Sequence, residues 1–361
     1  MKQRCEDRTP SSSSFASASL NGFRENQVGG LPATAVGSGT QDKTVCAVIV
    51  TFRPTPEELK EVLPRTVSET EYVLVVDNTP EIEGQERVRG AITEILRPGL
   101  DNQRPEKIVL EQVGRNIGLS RAYNTAIRKA KELRAGFLLL LDQDSKLVPG
   151  TVRTLLERYD EACRLGRVGS ISCSNVESVR VNVGFERAIS RLRERRYTRL
   201  YETHRLVRSG HVREILTFTN SGTLIPMNRF DDSGQFDESL FLDAIDYDYS
   251  LQLRAQGFRL FVADDAFVLH SQGTALQRKM LGRSVQLRTY PPQRSYHITH
   301  DTWSFARRWF RRYPGIVAGI MMSQVQGTMG ALMLLPERAI RMRFVLRALR
   351  ELHKGSTESG P

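Results

Sequence analysis

The feature that most constrains this chain is a set of short, nearly continuous apolar runs, each closing on a polar residue. Val45–Thr51, Tyr72–Asp77 and Phe137–Asp142 are almost unbroken Val, Ile and Leu. Such runs suit strands buried on both faces, the usual condition of parallel strands. Lys107–Gln112 and Val168–Ser174 read as two further strands. Helical patterns lie between them at Glu57–Leu63, Glu86–Leu96, Ser120–Ala135 and Thr151–Leu165, with Pro56 and Pro149 placed where a helix can begin. Strand and helix in alternation predict an α/β fold with a mostly parallel central sheet. Ligands of such sheets bind beyond the carboxyl ends of the strands. The residues to weigh are therefore Thr51-Phe52-Arg53, Asp77-Asn78, Gly114-Arg115-Asn116 and Asp142-Gln143-Asp144.

Several classes are excluded at once. No GxGxxG and no GxxxxGK(S/T) stands in these turns, so neither a Rossmann dinucleotide site nor a P-loop is expected. The four cysteines, Cys5, Cys46, Cys163 and Cys173, form no CxxC pair. A disulfide scaffold and a zinc ribbon are thereby ruled out, and free thiols in a reducing compartment are the expectation. Residues 1–43 are rich in Ser, Gly and Ala without a signal-length apolar run, which reads as a disordered leader.

The segment Phe137-Leu-Leu-Leu-Leu-Asp142-Gln143-Asp144-Ser145 ends a buried strand in two carboxylates. Residues two apart project to one side if the strand continues. Two hard oxygen ligands at a strand end suit Mg2+ or Mn2+, completed by water and a substrate diphosphate.

Taken in order, VCAVIVTFRP, VLVVDNTP, GRNIGLSRAYNTAI, FLLLLDQDS, NSGTLIP, ESLFLDAIDYDYSLQLRAQGFRLF and a late His270 resemble the inverting glycosyltransferases of family 2, which have the GT-A fold. The resemblance covers roughly residues 44–275. Within that family, DQDS, NSGTLIP and FLDAIDYDYSLQLR are most similar to bacterial rhamnosyltransferases, which use dTDP-β-L-rhamnose in surface-polysaccharide assembly. The resemblance implies a donor site of Thr51, Arg53, Asp77, Asn78, Asn116, Gly118, Arg121, Asn124, Asp142, Gln143 and Asp144. Asp77 would read the pyrimidine base, its carboxylate accepting the ring N3–H. Asp144 and Asp142 would hold the metal, with His270 facing it. Asn220, Ser221, Gly222 and Asp243 would shape the acceptor or sugar pocket.

Three carboxylates, Asp243, Asp246 and Asp248, compete for the role of general base. An inverting transfer needs one base to take the proton of the attacking hydroxyl. Counting back from Gly257 aligns Asp246 with the family's catalytic Asp, so Asp246 is the choice, with Asp243 and Asp248 as rivals. Clustering should raise at least one of their pKa values. Asp248 also suits a helix N-terminus. Further on, Arg294-Ser-Tyr296-His297-Ile-Thr-His300-Asp301 departs from the family's Arg-x-Tyr-Tyr-x-x-Arg-Asn.

The net charge of +11 is unevenly placed. Residues 179–213 hold ten arginines against three glutamates, between the donor half and Asp246. No nucleic-acid-binding motif accompanies them, so a phosphorylated, lipid-linked acceptor or anionic membrane is the preferred partner, and nucleic acid is not expected. Between Pro314 and Pro336 no residue is charged, and arginines with Trp309, Phe310 and Tyr313 flank the run. It suits an interfacial element on anionic lipid, with a buried hairpin, a dimer face or a span as alternatives.

The expected organisation is a leader at 1–43, a GT-A domain at 44–275 carrying the 179–213 insert, and a helical, basic amphipathic region at 276–361. The expected activity is an inverting, Mg2+- or Mn2+-dependent transfer of a sugar, L-rhamnose from dTDP-L-rhamnose, to a glycan or lipid-linked acceptor, on the inner face of the cytoplasmic membrane. A sugar-1-phosphate nucleotidyltransferase is the alternative, although its Gly-rich N-terminal signature is missing. An inactive nucleotide-sugar or glycan-binding protein is the other.

Overall fold

Strands β1 (Val45–Thr51), β2 (Tyr72–Asp77), β3 (Ile108–Gln112) and β4 (Phe137–Asp142) run parallel, in the spatial order β3-β2-β1-β4. Alternate residues of each strand serve opposite faces. Ala47, Ile49, Val73, Val75, Leu139 and Leu141 join one core with helices α1 (Pro56–Glu69) and α2 (Ile82–Ile95). Cys46, Val48, Leu74, Val76, Leu138 and Leu140 join a second core with α3 (Leu119–Glu132). The computed structural model describes residues 42–95, 107–177, 206–270, 274–280 and 283–357. The leader, apart from 42–43, and the Arg-rich insert, apart from 206–213, lie outside the described residues.

Past β4 the sheet becomes mixed. The chain passes through β5 (Ser145–Leu147), α4 (Thr151–Cys163), β6 (Val168–Glu177), β7 (Arg208–Ser209), β8 (Val212–Ile215), β9 (Thr223–Pro226), the short α5 (Arg229–Asp232), α6 (Ile245–Ala255) and β10 (Arg259–His270). β9 lies antiparallel between β4 and β6, β6 runs parallel to β10, and β5 and β8 pair antiparallel with β10. The result is the α/β architecture with a mostly parallel core that the apolar runs imply.

Three details differ from the sequence reading. Helix α1 does not stop at Leu63 but continues through Pro64 to Glu69. Its start is fixed by Thr55 and Glu58 in a reciprocal capping box, and buried Thr66 and Val67 hold the far end on the core. The strand also ends at Asp142. Gln143 and Asp144 form a turn into β5, so the two carboxylates do not project together as strand residues. Finally, the region after 275 is not helical throughout. It opens with a hairpin of β11 (Thr274–Met280) and β12 (Arg283–Thr289), then α7 (Arg294–Trp309), α8 (Pro314–Leu334) and α9 (Arg338–Thr357).

Helices α7 and α8 pack on α6 through a third apolar core of Leu251, Phe305, Ala306, Trp309, Ile316 and Val317. Gln41–Pro361 accordingly forms one compact unit.

Candidate functional site

The parallel strands deliver their last residues to one level. Thr51 is registered with Asp77, and Val50 with Asp142. Asp77 is fully buried. Its Oδ1 accepts from Thr51 Oγ1 at 3.0 Å and from the Thr79 backbone N–H at 3.1 Å, while Oδ2 is buried with no partner. An unpartnered buried carboxylate oxygen costs about 1–3 kcal/mol or more, and a ring N–H would satisfy it. Asn78 donates to the Gly118 carbonyl at 3.2 Å and leaves its own Oδ1 unpartnered. Arg53 has a positive φ of 51° and pairs with Glu81, both exposed.

The Asn-x-Gly turn is built against the loop that precedes Asp246. Asn116 Oδ1 accepts from the Gly118 N–H at 3.1 Å, and Leu119 N–H donates to the Phe241 carbonyl at 2.7 Å. Gly118 has a φ of 83°, and a Cβ there would lie 2.7 Å from that carbonyl. Only glycine tolerates both conditions. Asn124 is buried and gives its amide to the 236–238 loop, donating to Phe236 O and Glu238 and accepting from Phe236 N–H, each at 3.0 Å. Arg121 pairs with Glu238 at 3.4 Å on the surface.

At the end of β4, Asp142 N–H donates to Ser145 Oγ at 3.2 Å, and Ser145 is hydrogen-bonded to Ser221. Gln143 Oε1 accepts from the Phe52 N–H at 2.9 Å, tying the β1 and β4 ends together. Gly222, with a φ of 78°, donates to the Leu140 carbonyl at 2.8 Å, and the Asn220 Oδ1 is buried without a partner. The backbone of His270 pairs with Ser145, while its side chain lies outside the described residues.

The three rival carboxylates are separated by their surroundings. Asp248 is turned to α7: Trp309 Nε1 donates to Oδ1 at 2.6 Å and Arg308 to Oδ2 at 3.1 Å. Burial still holds it up at about 6, against the pull of those partners. Asp243 accepts from Arg294 at 3.2 Å through Oδ1, and its Oδ2 is buried without a partner. Burial raises its pKa, with the Asp301 charge adding and Arg294 opposing. Asp246, in the first turn of α6, accepts from the N–H of Tyr247 at 2.9 Å. Solvent still reaches Asp246, yet protein surrounds it closely. Burial first, then the charges of Asp243 and Asp142, push its carboxyl up to about 7. A carboxylate poised there can accept a proton at neutral pH.

Residues outside the expected site, three of them in the segment that departs from the family pattern, hold this arrangement. Asp301 of α7 is fully buried, and its Oδ2 accepts three successive N–H groups, of Phe241, Leu242 and Asp243, at 3.1, 2.9 and 3.0 Å. That anchor holds the loop whose Ala244 takes a left-handed φ of 62° before α6 begins. His297 stacks on Phe241 at 4.5 Å, and His300 bonds the other oxygen of Asp301 at 3.1 Å. Tyr123 is fully buried beneath the site with an unpartnered hydroxyl. A hydroxyl on the apolar face of Ala122, Ala126 and Ile127 was its sequence signal.

For a divalent cation, the described residues hold no cluster of three His, Cys, Asp or Glu side chains. The donor set nevertheless fits Mg2+ or Mn2+. Asp142 and Asp144 offer hard oxygens at a turn, and such ions keep waters and substrate phosphates as their other ligands. The crowding of Asp142, Asp243 and Asp246 that raises Asp246 would also be relieved by positive charge.

No family model matches the chain. It is 23% identical over 278 residues to dTDP-rhamnosyl transferase RfbF of Shigella flexneri, an alignment spanning 74% of this chain and 81% of that protein. A solved structure of GalNAc-T7 with UDP, GalNAc and Mn2+ superposes with a TM-score of 0.48 at 13% identity, over 88% of this chain. The chain spans 58% of that one. The curated relative, with the sheet order and the helical C-terminal region, supports a GT-A glycosyltransferase similar to the rhamnosyltransferases.

Proposed function

We propose that this protein is an inverting glycosyltransferase that moves a sugar, L-rhamnose from dTDP-β-L-rhamnose, onto a glycan or lipid-linked acceptor. The observation that carries the reading is Asp246, held at about 7 at the start of α6 and electrostatically coupled to Asp142 at the end of β4. In the proposed reaction the acceptor hydroxyl oxygen attacks the anomeric carbon. The bond from that carbon to the diphosphate breaks, the nucleoside diphosphate leaves with its electron pair, and the proton passes to Asp246 Oδ. Asp77 Oδ2 accepts the pyrimidine N3–H. Asp142 and Asp144 hold the cation, which would neutralise charge on the leaving diphosphate. Asn220 and Asp243 line the acceptor side, where unpartnered oxygens of both support hydrogen bonds to sugar hydroxyls.

Membrane association belongs to the same proposal. Helix α8 carries 21 residues without a charge, is long and apolar enough to cross a membrane, and leaves Met322, Val325, Met329 and Met333 exposed. Helix α9 adds exposed Ile340, Met342, Leu346 and Leu349 among its arginines. Apolar side chains beside arginine suit the anionic inner face of the cytoplasmic membrane, lying on it rather than spanning it.

The test is a donor screen with dTDP-, UDP- and GDP-sugars plus Mg2+ or Mn2+, reading released nucleoside diphosphate. dTDP released from dTDP-rhamnose is the expected result. Pyrophosphate released from dTTP and a sugar 1-phosphate would instead establish a nucleotidyltransferase, and tight binding without turnover an inactive binder.

A further inference from the structure

We infer that Gln143 is a positioning residue that couples the nucleoside end of the site to the carboxylate turn: its side-chain carbonyl straps the turn of Asp142 and Asp144 to the segment that braces Asp77. The inference rests on the glycosyltransferase reading above and names a residue which that reading leaves without a role. Ladder pairing between β1 and β4 ends at Val50 and Asp142. Gln143 and Asp144 then turn into β5, so no β1 residue registers with them. On its far side the turn is fastened by backbone, where Ser145 pairs with His270. Toward β1 the fastening is a side chain: Gln143 Oε1 accepts from the Phe52 N–H at 2.9 Å.

The donor in that bond is itself held from both sides. Before it, the Thr51 hydroxyl donates to Asp77 Oδ1 at 3.0 Å, and the Thr51 carbonyl accepts from the Asn78 N–H at 2.8 Å. After it, the Arg53 N–H donates to Thr79 Oγ1 at 2.8 Å, and the Thr79 N–H donates to Asp77 Oδ1 at 3.1 Å. Arg53 keeps its positive φ of 51° within this bracing. Such a backbone persists where its surroundings over-determine it. The Phe52 N–H is therefore a fixed point, placed by the residues around the base-reading carboxylate. A pyrimidine on Asp77 Oδ2 would stiffen the segment further and, through Phe52 and Gln143, narrow the positions open to the turn. Oxygens already in place bind a cation more tightly, because less ordering remains to be done on binding. Gln143 has no charge with which to attract the cation. What it supplies is the place of the turn.

Deoxythymidine separates this coupling from direct contact, because it has no phosphate to give the metal. The test is Mn2+ binding to the full chain, read by electron paramagnetic resonance with and without deoxythymidine, in the wild type and in Gln143→Leu, which keeps the bulk and removes the acceptor. Deoxythymidine should tighten Mn2+ binding to the wild type by roughly threefold to tenfold, the worth of one hydrogen bond, and leave the variant unmoved. Titration with dTDP should agree: affinity within about twofold of wild type in chelator, and roughly threefold to tenfold weaker in Mn2+. A wild type whose Mn2+ affinity ignores deoxythymidine overturns the inference. An equal loss of dTDP affinity with and without Mn2+ overturns it in favour of a role confined to the base segment. A lowered melting temperature with wild-type affinities overturns it in favour of a packing role. A wild type that binds no dTDP and turns over no donor overturns the glycosyltransferase reading together with this inference. An active wild type with an indistinguishable variant overturns this inference alone.

Discussion

Replacing Asp246 with Asn should make the protein more stable at alkaline pH while abolishing transfer. Burial and the charges of Asp243 and Asp142 hold this carboxyl at about 7 in the fold, against an ordinary value of 3.8. Each tenfold change in proton affinity is worth about 1.4 kcal/mol, so ionising Asp246 in place costs up to about 4 kcal/mol more than in the unfolded chain. Between the two values the folded protein holds the proton and the unfolded chain does not. This group's contribution to stability therefore falls as pH rises through that window and levels off above about 7. Asn has the shape of the protonated acid and no charge to bury. The other carboxylates act alike in both proteins, so the difference between them isolates Asp246. Urea denaturation from pH 4 to 8, in chelator so that no cation masks the charge, should show near-equal stability at pH 4. At pH 8 Asp246→Asn should be ahead by about 2–4 kcal/mol. A gap that is the same at pH 5 and pH 8, or a wild type that is the more stable at pH 8, would refute the reasoning. In the wild type, kcat should rise with pH as the base ionises, at a pH below about 7 because the bound cation relieves the crowding around Asp246.

Asp144→Ala should lose metal-dependent binding of dTDP in calorimetry, while its melting temperature without metal stays near that of the wild type. Asp248→Ala should cost about 1–3 kcal/mol in denaturation, because buried Trp309 Nε1 loses its acceptor while Arg308 keeps Asp237. Asp301→Ala should destabilise by a similar amount and lower transfer too, because three backbone N–H groups lose one acceptor. On the exposed face of α8, Val325→Glu with Met329→Glu should weaken sedimentation with anionic vesicles while leaving transfer to a soluble acceptor intact.

The strands were legible because they are buried on both faces, which writes an unbroken apolar run into the sequence at β1, β2 and β4. The strand ends were legible for the same reason: a polar residue that closes such a run, as Asp77 and Asp142 do, can stand only at the rim. Antiparallel β9 leaves little trace as a strand, since Thr223–Pro226 is short and ends in proline. The hairpin after 275 is equally hard to see, in a stretch where Gln277, Arg278 and Lys279 interrupt the apolar pattern. Pro64 is a local stop signal, whereas tertiary contacts carry α1 past it.

Sequence picks Asp246 over Asp243 and Asp248 only by alignment on Gly257, because the partners that distinguish their surroundings come from α7, some fifty to sixty residues further on. Arg294 takes one oxygen of Asp243, and Arg308 with Trp309 takes both of Asp248. The segment at 294–301 that departs from the rhamnosyltransferase pattern is the same one that brings Arg294, His297 and Asp301 to the loop before Asp246. Asp301 ties down residues 241–243, His297 stacks on Phe241, and the Phe241 carbonyl accepts from Leu119 at the head of the donor-side helix. The loop before Asp246 is thus clamped between the nucleotide-side turn at Gly118 and a C-terminal helix. Changes in α7 should therefore reach Asp246, the proposed base, through backbone position rather than through charge. That route makes the divergent segment compatible with the proposed chemistry: the loop needs an acceptor for three N–H groups and a flat ring over Phe241, and Asp301 and His297 provide both.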